Sequence, residues 1–505
     1  MTNNDHEKIH TNADSVICTS DHVLVSNPRR PQYLACGILC LGGILGGTVT
    51  GWSSTSIPSL EESNHFQLSP RDLSWIASIV NLGTALSAPI TGYMIKKFGR
   101  KSTLLISAIP FAIGWAALAF PTKVWMLYTG RFLTGFADGS VIITASIYLC
   151  EIAEPDLRGR LSVVWFVMIR LGILFVNGVG SLLPYHQLSA ISFTLSVAFG
   201  VSILFLPESP RWLMTKWQEQ EATYSLCWLR DCEKSSPSPA ILLEIQEIKD
   251  AVIRAENDGK AFKVSTYFSA TVLKATLIAC ILLIFREASG GNVLGYFVVE
   301  IFEKTGSAFD PHLSGVFVGV AQLLAILVTI YYVDLLGRRT LLILTFVLMS
   351  LSLFLLGLFC VFRTDVEIGA GETQLSGWIP LILFITYNAA HSGGPFVLAF
   401  TVSSEVVPTG VIGFVSGLST FLGFLTSFVL ARYYEDMNDL LGLTCTFWVV
   451  YYHSISSYQL YSVATVVISN AINGLILDDY DVIKPGNLSS QSDGLTMDSS
   501  GTLII

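Results

Sequence analysis

Long apolar runs, each about the length needed to cross a bilayer, recur along the whole chain and constrain it more than any motif does. A helical span needs about 20 residues. Twelve can be placed: 33–57, 73–95, 103–121, 124–148, 161–183 and 188–206, then 274–300, 312–335, 340–362, 378–402, 412–432 and a last one within 440–477. Only 13% of the 505 residues are Asp, Glu, Lys or Arg and 52% are hydrophobic, whereas soluble domains carry about 25% charged residues. So little charge cannot cover a water-soluble surface, which argues against a soluble enzyme. A net charge of −9 argues against a nucleic-acid partner, which needs a basic face. The runs are continuous rather than alternating, unlike the strands of an outer-membrane barrel. The expected class is an all-α polytopic membrane protein with the lipid bilayer as its surroundings.

The nine cysteines, from Cys18 to Cys445, are scattered and odd in number. None has metal-ligand spacing, so small apolar packing accounts for most of them, and neither metal nor cofactor is implied. Residues 1–28 are polar and the first apolar run follows Arg29-Arg30-Pro31. This is not the pattern of a cleavable signal peptide. The expected organisation is a cytosolic tail (1–32), a six-helix bundle (33–206), a cytosolic linker (207–273), a second bundle (274–477) and a polar acidic tail (478–505). Within the linker, Leu242-x-x-Ile245-x-x-Ile248-x-x-x-Val252 has helical spacing and predicts amphipathic helices at the membrane surface.

Topology follows from charge. With the N-terminus inside, the inner loops hold Lys96, Lys97, Arg100, Lys101, Arg158, Arg160, Arg338 and Arg339; the outer loops hold Arg71, Lys123, Lys304, Arg363 and Arg432. The basic linker also falls inside, so the N-terminus is expected to be cytosolic. An internal repeat matters more than any one span. Gly92-x-x-x-Lys96-x-x-Gly99-Arg100-Lys101 follows the second span, and Asp334-x-x-Gly337-Arg338-Arg339 follows the eighth. Glu151 and Gly159 recur as Glu405 and Gly413 at one common offset. Two six-helix halves with matching turns are the signature of a secondary transporter whose site lies between them.

These residues resemble the sugar-porter family of the major facilitator superfamily, which includes animal hexose transporters and insect facilitated trehalose transporters. The resemblance runs over about residues 30–450. It is carried by Gly99-Arg100-Lys101, Gly130-Arg131-Phe132 with Gly135, Tyr148-x-x-Glu151 with Arg158-Gly159, Pro207-Glu208-Ser209-Pro210-Arg211-Trp212-Leu213, Ser289-Gly290-x-Asn292 and Gly337-Arg338-Arg339. The Pro-Glu-Ser-Pro-Arg-Trp-Leu string is the most specific. Gly51-Trp52-Ser53-Ser54 looks like the trehalose-transporter branch. The resemblance implies two six-helix bundles around a central cavity in the plasma membrane. It also implies a small-molecule sugar as substrate, alternating access, a monomeric transport unit and no cofactor. It assigns Arg100, Glu151, Arg158, Asp334, Arg338, Arg339 and Glu405 to a cytosolic gating network; plain positive-inside anchoring is the other reading of the basic members.

Departures from the family pattern cluster at the cavity. Lys96 stands where the family has Asp, and Ile412 where the second half has Arg. Phe166, Arg286, Glu287 and Gln322 replace family amides, Asn292 is kept, and the tenth-span stretch reads Gly394-Pro395-Phe396-Val397-Leu398-Ala399-Phe400. The candidate substrate residues are therefore Phe166, Arg170, Arg286, Glu287, Asn292, Gln322 and Phe400.

Asp138, Arg170, Arg286 and Glu287 fall inside spans, where an ionised group is costly and usually paired or functional. Counting from Glu151 and Arg158 at 1.5 Å per residue, Asp138 and Arg170 both sit roughly 18–20 Å above their shared loop, which predicts an ion pair between them. Arg286 and Glu287 are adjacent and are expected on different helix faces. Three roles stay open for these charges: mutual packing, recognition of an anionic or zwitterionic solute, and proton coupling through Asp138 or Glu287. His391 reads as a hydrogen-bonded core residue. No catalytic constellation is present. The expected function is sugar transport by facilitation; a proton-coupled sugar or organic-ion porter, or a non-transporting sugar receptor, are the alternatives.

After Phe447-Trp448 the family pattern stops. Either 440–457 or Tyr458–Ile476 can supply the last span; if both crossed, Asn487-Leu488-Ser489 would lie outside as a glycosylation acceptor.

Overall fold

The computed structural model describes residues 29–482, apart from 64–65, 233–237, 262–268, 307–308, 365–373 and 408–410. Among the described residues every regular element is a helix. The first half runs α1 (Arg30–Glu62), α2 (Pro70–Phe98), α3 (Arg100–Ala119), α4 (Val124–Ile152), α5 (Pro155–Gly180) and α6 (Tyr185–Ile203). Three linker helices follow: α7 (Pro210–Thr215), α8 (Glu219–Leu229) and α9 (Pro239–Ala261). The second half is α10 (Ala270–Ala288), α11 (Gly291–Tyr296), α12 (Val298–Thr305), α13 (Pro311–Leu336), α14 (Arg338–Thr364), α15 (Gln374–Gly393), α16 (Pro395–Val406) and α17 (Ile412–Val482).

Local chemistry sets several of these starts. Ser69 and Asp72 form a reciprocal capping box at α2, the Ser69 hydroxyl accepting from Asp72 N and the Asp72 carboxylate from Ser69 N at 2.8 Å. Asp310 accepts from the His312 and Leu313 amides at α13, with Pro311 in the first turn. The turns expected from the repeat are both present. Gly99 (φ 95°) separates α2 from α3 and Gly337 (φ 76°) separates α13 from α14, each in a region that L side chains avoid.

By length and composition, ten helical stretches are fit to cross a membrane. Gly442 (φ 76°, ψ 160°) breaks the last of them, so α17 makes two crossings. A further crossing is made in pieces by α10, α11 and α12, interrupted at Ser289 and Gly290 (φ 81°). The described crossings thus number the twelve expected. Beyond Gly442 the helix runs unbroken to Val482, about 60 Å at 1.5 Å per residue. The first candidate segment, 440–457, past its break at Gly442, and the second, Tyr458–Ile476, therefore belong to this single helix and do not turn back as separate spans. Asn487 lies outside the described residues.

Close helix approach comes from small residues, as expected where lipid removes the hydrophobic drive between spans. A Cβ on Gly47 of α1 would strike the Ile169 carbonyl and Gly172 of α5, and one on Gly172 would strike the Ile44 carbonyl. Between the halves, α2 packs on α17, α5 on α13, and α1 on α11 and α12. In the linker, α7, α8 and α9 bury Leu213, Met214, Leu226, Ile241, Ile245 and Val252 against one another. The expected stripe is shifted at its start. Ile241 takes the buried position one helical turn before Ile245, while Leu242 is exposed.

Candidate functional site

Where the halves meet at mid-depth, Arg170 of α5 is buried to 2% exposure. Its guanidinium carbon lies 3.6 Å from the ring centroid of Phe396 on α16. Nη1 donates to Gln322 Oε1 of α13 at 3.4 Å, a long bond, and Gln322 Nε2 donates to Asn388 Oδ1 of α15 at 2.9 Å. Phe166 meets the same Phe396 ring edge-on at 5.9 Å. Arg286 of α10 lies 4.8 Å from the Phe400 ring centroid and 5.4 Å from that of Phe396. A small cavity of about 20 Å³ touches Arg170, Asn177, Asn292, Gln322 and Thr50, room for about one water. The seven candidate substrate residues are thus brought together, with Phe396 as the hub that spacing alone did not single out. The break at Gly394, between α15 and α16, is what turns Phe396 into the centre.

Two expected pairings differ. Among the described residues no ion pair joins Asp138 to Arg170. One Asp138 carboxylate oxygen is buried without a hydrogen-bond partner, and the charge acting on this carboxylate is that of Arg131, two turns earlier on α4. Arg131 is wholly buried, donating to Val49 O at 2.9 Å, Ser53 Oγ at 2.8 Å and Ile76 O at 3.3 Å, over the Trp52 ring. Equal depth gives equal height, not a shared direction. Second, Arg286 and Glu287 bond to each other despite adjacency, and Glu287 Oε2 also accepts from Asn292 Nδ2 at 2.8 Å. The helix break at Ser289 lets Asn292 return to the carboxylate two residues before it. His391 is buried, and its Nδ1 has no partner among the described residues.

Among the described residues, hydrogen bonds between the halves are found at the centre and toward one end. Arg170 to Gln322 is one; the others among the described residues lie toward the end of the molecule holding Ser74. Ser74 Oγ donates to Arg432 O at 2.5 Å, Tyr296 OH to Asn81 Oδ1 at 2.8 Å, and Asn177 Nδ2 to Gly315 O at 3.1 Å. Trp75 and Phe428 meet there at 5.9 Å.

At the opposite end, Arg100 Nη2 pairs with Glu151 Oε1 at 2.5 Å, and Glu151 Oε2 accepts from Ser209 Oγ at 2.6 Å. Glu208 caps α3, accepting from the Arg100 amide at 2.8 Å and the Lys101 amide at 3.1 Å; a carboxylate at a helix N-terminus meets both unpaired amides and the dipole. Tyr148 OH donates to Pro207 O at 2.5 Å. Arg29 pairs with Glu154 at 3.0 Å and Arg230 with Glu244 at 2.6 Å. Arg338 and Arg339 are exposed at the start of α14. The side chains of Arg158, Asp334, Glu405 and Ile412 lie outside what is described. The ion pairs described at this end stay within the first half and the linker.

Residues 35–468 match the family described as "Sugar (and other) transporter". The chain belongs to this transporter family. It is 28% identical over 419 residues to the facilitated trehalose transporter Tret1 of Polypedilum vanderplanki, covering 83% of this chain and 81% of that protein. Over 420 residues it is also 28% identical to the Tret1 of Drosophila virilis, of which it spans only 45%. Its fold is similar to the partially occluded, inward-open xylose transporter XylE from E. coli, with a TM-score of 0.67 at 20% identity over 85% of this chain and 98% of that one. The fold is therefore that of the major facilitator superfamily, named for XylE in a second matching structure with a TM-score of 0.68.

Within this transporter fold, sequence reasoning missed Glu208 as a helix cap, Asn388 as the second amide behind Arg170, and Arg131 as a buried charge. Glu208 sits in the most specific motif of the chain, which was a usable signal. Asn388 had none.

Proposed function

We propose that this transporter moves a hexose or disaccharide, of the glucose or trehalose type, across the plasma membrane by alternating access and without a coupled gradient. The observation that carries the reading is the meeting of the halves at the central site: Arg170 of the first half donates to Gln322 of the second, and hydrogen bonds between the halves close the Ser74 end. With the N-terminus cytosolic, the Ser74 end is extracellular and the conformation is closed to the outside. Asn292, Gln322 and Asn177 present amides at the cavity, groups that both donate to and accept from hydroxyls, with Phe396 and Phe400 as an aromatic floor. Arg100, Glu151, Arg158, Asp334, Arg338, Arg339 and Glu405 act as the cytosolic gate, and a monomer is the transport unit. The chain's similarity to trehalose and xylose transporters supports a sugar as cargo.

Purified protein in liposomes tests this with labelled glucose and trehalose, with and without a pH gradient. Equilibrating uptake without a gradient is expected. Accumulation driven by the gradient would replace facilitation with symport, and binding without flux would make the protein a receptor.

A further inference from the structure

Arg170 lines the central cavity, and close behind it stand a second guanidinium, Arg286, and one carboxylate, Glu287, which is held by Arg286 and by the cavity-lining Asn292. One positive charge is left over. The charged group acting on Arg170 is Arg286, a second cation, and among the described residues no ion pair joins it to Asp138, which lies beside Gly46 of α1. Among the described residues Arg170 uses only Nη1, on Gln322, and Nε and Nη2 are buried without partners. Those two nitrogens form one edge of the guanidinium, the fork that takes a carboxylate through two parallel hydrogen bonds. A buried cation without a counter-ion is costly in a membrane interior, and a neutral sugar would leave it so.

We propose that the central site takes a hydroxylated monocarboxylate, a sugar acid of the hexuronate type, with its carboxylate on the Nε/Nη2 edge of Arg170 and its hydroxyls on Asn292 and Gln322. This rests on the sugar-transport reading and changes its cargo from a neutral sugar to a charged one. A phosphate ester carries nearly two charges at neutral pH, whereas the wall has one in excess, which selects a carboxylate. Because the cavity holds only about one water in this conformation, the halves must part to admit the solute, as alternating access requires.

The test uses the full-length protein in detergent and in liposomes with D-glucuronate, D-glucose, trehalose and glucose 6-phosphate. Glucuronate should raise the melting temperature more than the other three. It should be taken up, faster under an inside-positive potential, and should inhibit glucose uptake. Arg170→Lys keeps charge but loses the fork and should weaken glucuronate about tenfold; Arg170→Gln should abolish its binding. Glucose uptake that glucuronate neither shares nor inhibits overturns this inference and leaves sugar transport standing. Preference for glucose 6-phosphate overturns the carboxylate assignment. Glucuronate binding unchanged in both variants overturns the role of Arg170, and absence of binding and flux for all four solutes removes both readings.

Discussion

The guanidinium of Arg170 in the first half stands 3.6 Å from the ring centroid of Phe396 in the second. This contact spans the divide at the cavity, and Phe166 and Arg286 meet the same ring. The ring is a joint between the halves as well as a wall of the site. Phe396→Ala should lower stability by about 3–5 kcal/mol, from lost burial and the cavity left behind. Phe396→Leu should cost less in melting temperature but still slow transport, since it fills space without a π face for the cations. Melting in detergent compared with uptake rate separates the two effects.

Glu208 satisfies two amides at the start of α3. Glu208→Ala should destabilise the protein by about 1–2 kcal/mol, the range for a lost cap plus its charge at the dipole. Glu208→Gln should fall between, keeping an acceptor without charge. Thermal melting of the three proteins in one detergent checks the order.

Arg100 and Glu151 form a largely buried pair, with side chains 14% and 9% exposed. Removing either partner strands the other, at a cost of about 3–5 kcal/mol. Exchanging them, Arg100→Glu with Glu151→Arg, should rescue only part of the loss. The new carboxylate at position 100 would sit beside Glu208, and the Ser209 hydroxyl would lose its acceptor. Full rescue in melting experiments would mean that the surroundings of the pair are irrelevant.

Gly47 and Gly172 let α1 and α5 touch backbone to backbone. Gly47→Val should force the helices apart and yield aggregated or unfolded protein, whereas Gly37→Val, where a Cβ meets nothing within 4 Å, should be tolerated. Size-exclusion profiles of the solubilised variants read this directly.

The spans and the two-fold repeat were legible in the sequence because both are local. A run of about 20 apolar residues and a Gly-Arg turn declare themselves without their neighbours. Pairing was not legible for the same reason. Helix rise gave Asp138 and Arg170 the same height but said nothing of azimuth, and Arg131 on the same helix is the charge acting on Asp138. Adjacency sets Arg286 and Glu287 about 100° apart around α10, yet both side chains are long enough to meet, and the break at Ser289 brings Asn292 back to the same carboxylate. Glu208 reaches the α3 amides across more than a hundred residues of chain, and Asn388 meets Gln322 only because α13 packs on α15. The last span was ambiguous because apolar character persists on both sides of residue 457; the missing information was that no turn interrupts it.

Alternating access requires the Ser74 end to open and close during each cycle. Ser74 on α2 touches Arg432 on α17 in the closed arrangement. The most direct measurement is sugar uptake by a Ser74→Cys, Arg432→Cys double variant before and after treatment with a short bifunctional thiol reagent whose bridge can be cleaved. Uptake should stop when the bridge forms and return when it is cut, with each single variant unaffected by the reagent. Undiminished uptake through the bridged protein would contradict the account.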